Sequence, residues 1–517
     1  MHICFIHSHY ESLGIEYISS LLKKQGHQTS LIFEPALFHN FFCDNKLLHR
    51  MFDFREYILE RISKSKPDIV AFSVISDNYH WSLDLARQIK KKHKILVVFG
   101  GIHVSSVPEY VLREDVVDYV IVGEGEEPML DLVEALQHSR DASGMPNIGV
   151  NRKGIIKLNE IRPVISQIDG LPFPDKDLFF NEYDKLISAS YTVMGSRGCN
   201  YSCSYCWNSA IHRIYKNGFF RRRSPSNVIA ELQWAKERYK IKKVTFYDEV
   251  FTSDKDWLQD FLSTYKKEIN LPFFCCAHPD DIDKDTVDLL SLARCSAINI
   301  GLQTANEEIR KTILNRRGSN TQISHALKLL RDTNIFVYSN IILGLPGEKE
   351  ESVIKTLKFC AENKADLPAI YWLRYYPNTK ILDIAKNMSI ISESEAESIK
   401  RGEQYTPYAI SGNTYKKGLS RIGNLILLSG FLSPRFINLL IKYKFYRLIV
   451  SGNLLFPAII MICTYKRLFK KKRFPFHYFN LMDYFKLHWF YMHKKLSYHR
   501  QKITFKRLFK INENSAY

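Results

Sequence analysis

The sequence predicts an α/β protein: a doubly wound, Rossmann-like N-terminal domain, then a partial (β/α)6 TIM-type barrel, then a basic, mostly α-helical C-terminal region. Three observations predict it. Continuous Val/Ile/Phe runs alternate with helical patterns over residues 1–140 and again over 189–395, as parallel strands covered on both faces require. Between them, 141–188 carries "GMPN" and "LPFPDKD" and reads as a linker. Over 396–517 the alternation stops, and Leu, Ile, Phe, Tyr and Lys dominate.

In the first domain the strand runs are "HICFIHS", "TSLIFE", "DIVAFSV", "KILVVFGG" and "VDYVIVGEG". Helical patterns separate them: "GIEYISSLLKKQG", a helix near 48–65, "HWSLDLARQIKKK" and, closing the series, "EEPMLDLVEALQ", making five βα units. Ligands of such sheets sit beyond the carboxyl ends of the strands. Those ends are Ser8-His9-Tyr10, Ser73 to Asp77 with Ser76 among them, Gly100-Gly101-Ile102-His103 and Gly123-Glu124-Gly125-Glu126.

The second series runs "YTVMGSRG", "KVTFYDEV", "PFFCCAHP", "SAINIGLQT", "FVYSNIILGLP" and "LPAIYWLRYYP", with helices such as "SNVIAELQWAKERY" and "TQISHALKLLRDT" between. Six repeats of one hand predict a partial parallel barrel with its active site at the C-terminal mouth.

A length of 517 residues, 45% hydrophobic and 25% charged, is that of an ordinary globular chain of several domains, and excludes a protein dominated by disorder. The net charge of +19 is unevenly placed: residues 401–517 hold 22 Lys and Arg against 3 acids, while residues 1–400 balance. Such a tail either faces something anionic (phospholipid, nucleic acid, an acidic substrate group) or is a solvated basic face. Its most apolar run, "LIVSGNLLFPAIIMIC" from Leu448 to Cys463, is broken by Ser451, Gly452, Asn453 and Pro457 and falls short of the roughly twenty residues of a span. The tail is therefore expected to rest on an anionic lipid surface or to cover the substrate pocket. Lys, Arg, Tyr and Phe interleave in it, but no recognised nucleic-acid module accompanies them. "MHICFIHSHY" lacks the basic start and apolar run of a signal peptide, so a cytoplasmic, reducing location is expected, peripheral to the membrane if the tail binds lipid.

Just after the first barrel strand, "GSRGCNYSCSYCWN" sets Cys199, Cys203 and Cys206 four and three residues apart. Short spacings make the sulfurs converge, so three thiolates can each hold one iron of a cubane and leave the fourth open. Zinc is the alternative, with His212 completing a Cys3His set. Cys275, Cys276, Cys295 and Cys360 lie apart from this group and read as strand or core residues.

Cys199-x3-Cys203-x2-Cys206, with Tyr205 before the last cysteine and a six-fold βα series around it, resembles the radical S-adenosylmethionine (SAM) superfamily. The resemblance implies a [4Fe-4S] cluster on the three cysteines and SAM on the open iron, reductively cleaved to a 5′-deoxyadenosyl radical. It implies further SAM contacts at Tyr205, at Asp248 and Glu249 of "FYDEV", at Gln303, and at Gly344, Leu345 and Pro346 of "NIILGLPGE". Arg221 to Arg223 and Ser224, before a helix, also fit the family pattern, and a solvated basic turn explains them equally well.

"PDIVAFSVIS", "VFGGIHVSSVPE" and "YVIVGEGEEP" resemble the cobalamin-binding domain fused ahead of many such barrels. That implies cobalamin contacts at Ser73, Ser76, Gly100, Gly101, His103, Gly123, Glu124 and Gly125. Asp-x-His-x-x-Gly is absent, so no histidine of that motif is offered to cobalt, and His103 reads as a loop histidine. The implied reaction is cobalamin-dependent methylation of an unactivated carbon of a small molecule or lipid, fed by an electron donor such as flavodoxin or ferredoxin. Radical cyclisation or rearrangement is the alternative, and a non-catalytic cobalamin or redox sensor is the reading of another class. Substrate contacts are expected from the strand ends, where "YWLRYYPNT" offers aromatic surface and Arg374 a fixed charge.

Overall fold

A computed structural model describes residues 1–8, 11–38, 45–187, 190–215, 219–403, 416–449, 451 and 489–495. In the first domain β1 (His2–Ser8), β2 (Gln28–Glu34), β3 (Ile69–Ser73), β4 (Leu96–Gly100) and β5 (Tyr119–Ile121) pair in parallel in the order β2-β1-β3-β4-β5. The order reverses between β1 and β3, so the loops after those two strands flank a crevice. The strand centres are buried on both faces, as continuous apolar runs demand.

The stretch expected as a linker is not bare. β6 (Ile148–Arg152) and β7 (Ile155–Leu158) extend the first sheet beyond β5 as an antiparallel hairpin. The side chain of Asn151 accepts from the Gly154 amide at 2.9 Å to close the turn. Without this hairpin the three-residue β5 would be an open edge.

The second domain begins with β8 (Ser190–Val193). β9 (Ser196–Arg197) pairs antiparallel with β10 (Arg221–Arg222), bracketing the cysteine loop. β11 (Lys243–Phe246), β12 (Phe273–Ala277), β13 (Cys295–Gln303), β14 (Phe336–Leu343) and β15 (Leu367–Trp372) complete an all-parallel sheet, β8-β11-β12-β13-β14-β15. Along β13 the period of two sends Ile298, Ile300 and Leu302 into the helical layer. Ala297, Asn299 and Gly301 take the other face. Side-chain caps at Ser224, Asp254, Asp283 and Ser319 fix where the following helices start, and so hold the strand-end loops in place.

Beyond the barrel, helix Lys417–Leu428 packs on helix Glu350–Asn363 and on β15, and helix Pro434–Lys442 packs on the same Glu350–Asn363. The run Leu448–Cys463 lies almost wholly outside the described residues, as does the basic stretch after it. Among the described residues no helix is long and apolar enough to cross a membrane. The helix at 489–495 returns to the first domain. There Tyr491 packs 6.1 Å from the ring of Phe33 and 6.0 Å from that of Phe54, and Lys495 donates to the Asp53 carbonyl.

Candidate active site at the cleft between the domains

The three cysteines stand on one loop pinned from two sides. Between Cys203 and Tyr205, Ser204 donates its amide to the Leu314 carbonyl (3.0 Å) and its hydroxyl to that of Ile313 (2.5 Å). Its own carbonyl accepts from the Ile381 amide at 2.9 Å. Cys199 and Cys203 are buried and Cys206 is half-buried. Burial pushes the Cys199 thiol up to about 11 and Cys206 up to about 12, with the Glu249 carboxylate adding to both. Thiols so placed stay protonated until a strong cation claims them. Two donors face the sulfurs: the Tyr201 amide lies 3.4 Å from Cys199 Sγ, and Arg316 Nη1 lies 3.7 Å from Cys203 Sγ. N–H groups aimed at sulfur fit a thiolate-held cluster. Among the described residues no three His, Cys, Asp or Glu side chains converge on a single-ion site. A cubane does not need them to, since each thiolate binds its own iron.

The two acids of "FYDEV" part company. Asp248 is fully buried and accepts from the Gly195 amide at 3.0 Å and the Ser196 hydroxyl at 2.5 Å. It ties the end of β11 to the segment leading into the cysteine loop. Glu249, on the opposite side of the strand end, is exposed, yet desolvation raises its carboxyl, as happens in a concave site.

Gln303 ends β13 in the left-handed region, φ 63°, just past a bulge. The tips of the Gln303 and Arg316 side chains fill the space where a Cβ at Gly301 would stand. Arg316 also donates to the Gly301 carbonyl at 2.8 Å. Nearby, His278 stacks on Tyr201 with centroids 4.1 Å apart; burial lowers it to about 3, so it is neutral. The turn at Gly344-Leu345-Pro346 is closed by Glu348, whose carboxylate accepts from the amides of Gly344 (2.7 Å) and Leu345 (3.3 Å). Those amides are therefore taken within the protein. Tyr205 packs against a small apolar cluster of the same mouth that includes Ile342, Leu345 and Leu373.

The first domain closes over this mouth through named contacts. Trp207, one residue past Cys206, donates its indole N–H to Ser106 Oγ at 3.0 Å, and Asn378 donates to the Ser106 carbonyl. Arg374 pairs with Asp77 at 2.8 Å. Glu124 accepts from Arg221 at 2.7 and 2.9 Å and from Arg197 at 3.2 Å, while Arg197 reaches Glu126 at 2.6 Å. Arg223 lies within the barrel, paired with Glu231, and reaches the Tyr17 hydroxyl at 3.4 Å.

These contacts redistribute the roles expected of the first domain's residues. Gly123 adjoins the Tyr215 hydroxyl, and Glu124 is engaged by arginines, so both serve the domain interface. Gly101, at φ 106°, lets its loop approach Val74: a Cβ there would lie 2.7 Å from the Val74 carbonyl oxygen. His103 is not in a loop but in the short helix Ile102–Ser106, fully buried. Its Nδ1 lies 2.9 Å from Ser76 Oγ, and burial lowers it to about 3. His103 Nε2 and Asp77 Oδ1 are buried without a hydrogen-bond partner. Polar atoms left over at this end of the sheet are what a polar cofactor between the domains would satisfy. Gly100 lies against Ile121 and Gly125 against the Ile18 side chain.

Sequence reasoning missed Arg316, Glu348 and Trp207. Glu348 carried a signal, an acid four residues after Gly344, whereas Arg316 carried none.

Comparison with known proteins gives the same division. The Radical SAM superfamily model matches residues 193–360, and the B12 binding domain model matches residues 6–133. The chain is 27% identical over 333 residues to an uncharacterized methyltransferase, PH0819, of Pyrococcus horikoshii, covering 63% of this chain and 71% of that protein. It is 24% identical over 444 residues to the anaerobic magnesium-protoporphyrin IX monomethyl ester cyclase of Rubrivivax gelatinosus, covering 78% and 75%. Among solved structures, the cobalamin-dependent SAM radical enzyme OxsB, with aqua-cobalamin and SAM bound, gives a TM-score of 0.65 at 15% identity, covering 91% of this chain and 79% of that one. The radical SAM methyltransferase TsrM of Kitasatospora setae, with cobalamin and a [4Fe-4S] cluster, gives 0.61 at 17% identity, covering 75% and 78%. At such identities the structures establish a shared fold. The two domains imply a [4Fe-4S] cluster, SAM and cobalamin as cofactors.

Proposed function

This chain is a radical SAM enzyme with a B12-binding domain ahead of its barrel, and from that premise we propose that it is a cobalamin-dependent methyltransferase acting on an unactivated carbon of a small molecule or lipid. The observation that carries the reading is the apposition of two sets of strand ends. The loop after β3 (Asp77) and the helix after β4 (Ser106) meet Arg374, Asn378 and Trp207 at the barrel mouth.

When bound, the cluster and SAM supply radical chemistry, and cobalamin supplies a methyl group to the carbon so activated. Cys199, Cys203 and Cys206 would hold the cluster, and Glu249 and Gln303 would face SAM. The chain's own part is to position and enclose. Ser204 fixes the loop on which the thiols stand, Asp248 fixes the strand end before it, and the Arg197 and Arg221 pairs with Glu124 hold the first domain over the mouth. A closed mouth keeps water and stray C–H bonds away from the reacting carbon. A small-molecule substrate suits so enclosed a cleft, and an external one-electron donor is required.

A second reading, radical cyclisation, rests on the match to the Rubrivivax cyclase, which spans 78% of the chain. The test is product mass with methyl-labelled SAM, using anoxically reconstituted protein. A gain of one labelled methyl group is expected; a ring-closed or isomeric product without label replaces methylation by cyclisation. No SAM cleavage at all by protein with full iron and sulfide sinks both readings in favour of a sensor. Cys199→Ala, Cys203→Ala and Cys206→Ala should each lose the cluster's visible absorbance.

A further inference from the structure

We infer that the outer face of helix Pro434–Lys442 and the turn after it rests on an anionic membrane surface. Ile437 and Tyr446 point inward, Tyr446 donating to Glu350 of the helix beneath. On the other side Phe436, Leu439 and Tyr443, at helical spacings of three and four, are each about half exposed, and Phe445 (48%) and Leu448 (81%) continue the patch. Scattered exposed apolar residues need no explanation; five within thirteen residues on one face do.

Charge selects the occupant. Arg435, Lys442, Lys444 and Arg447 are exposed among these side chains, and no acid lies between Pro434 and Leu448. The sequence from 404 to 482 carries thirteen Lys and Arg and no Asp or Glu. Among the described residues the only ion pair on this face is a loose one, Arg447 to Glu350 at 3.8 Å, made to the helix beneath. Apolar side chains flanked by cations fit the boundary between headgroups and acyl chains, where the rings and leucines enter and the cations meet phosphate. A nucleic acid would take up the cations but leave Leu439 and Leu448 in water. A second copy would set one cationic face against another. The sequence left the basic tail either on lipid or over the substrate pocket; the contact inferred here lies on helix Pro434–Lys442 and on the turn that leads to Leu448, where the apolar run begins.

Vesicle co-sedimentation of the full chain tests this, with phosphatidylcholine alone or mixed with about a third phosphatidylglycerol, at about 0.1 M and about 0.5 M salt. Pelleting with the anionic vesicles only, weakened by salt, is expected. Leu439→Ser with Leu448→Ser should lower partitioning by about tenfold or more. Lys442→Glu with Lys444→Glu should remove much of the salt-sensitive part. Unchanged far-ultraviolet dichroism and thermal midpoint show that these surface variants fold. No pelleting, or pelleting that the leucine pair leaves unchanged, overturns the inference. So does tighter binding to a single-stranded oligonucleotide than to vesicles, or a concentration-dependent dimer that the leucine pair abolishes.

Discussion

Glu124 of the first domain holds Arg221 of the second through both carboxylate oxygens, at 2.7 and 2.9 Å, and accepts from Arg197 with one of them. Arg197 stands two residues before Cys199, so this half-buried ionic group joins the B12-binding domain to the root of the cysteine loop. Its arginines draw the Glu124 carboxyl below the usual range although burial opposes them. Because partly desolvated arginines would be left uncompensated, Glu124→Gln should cost about 3–5 kcal/mol in denaturant titration, at the upper end for a single contact. A double-mutant cycle with Arg221→Gln should show strong coupling; additive losses would mean that the pair does not act as a unit.

Arg316 places a cation against Cys203 Sγ. Positive charge and N–H donation at a cluster sulfur favour the reduced state. Arg316→Gln should therefore lower the midpoint potential of the reconstituted cluster, with Arg316→Lys recovering part of the shift. Spectroelectrochemical titration reads this without turnover, and an unchanged potential would leave Arg316 only its role at the Gly301 carbonyl.

Gly101 offers a backbone test. A Cβ would sit 2.7 Å from the oxygen and 2.8 Å from the nitrogen of Val74, at a φ that side chains rarely adopt. Backbone atoms cannot swing aside as a side-chain tip can. Gly101→Ala should destabilise the first domain by roughly 1–3 kcal/mol, seen as a lower thermal midpoint and weaker retention of cobalamin.

Glu348 makes stability depend on pH. Burial raises its carboxyl to about 7 in the folded chain, against an ordinary value of 4.5, even though the Gly344 and Leu345 amides oppose the shift. The folded state thus binds the proton more tightly, so the stabilisation is complete below about 4.5 and is lost as pH rises through about 7. The contribution is on the order of 3 kcal/mol at most. Glu348→Gln keeps an acceptor for the two amides and removes the titration, so its stability should be flatter than that of the parent between pH 5 and pH 8 in urea melts. An identical slope in both proteins would assign the pH dependence elsewhere.

The βα series were legible because their strands are buried on both sides and read as unbroken apolar runs. β6 and β7 were not: they have five and four residues, and β7 is mostly exposed, too little to stand out from a turn-rich stretch. The cysteine loop announced itself by spacing alone. Asp248 and Glu249 show where such reading stops. They are adjacent in sequence just past β11, and only the contacts of Asp248 with Gly195 and Ser196 show which of the two is buried. Arg316 meets Cys203 across 113 residues of sequence, and nothing local to either marks the encounter. The interface arginines were visible as a basic run, but a solvated turn explained them equally well until their acidic partners were seen.

The return of residues 489–495 to the first domain sets an order of events on the ribosome. Phe33 and Phe54 are made several hundred residues before Tyr491, which packs on both. Until that ring arrives the patch lacks it, so a surface of the first domain is completed by a segment far downstream in the same chain.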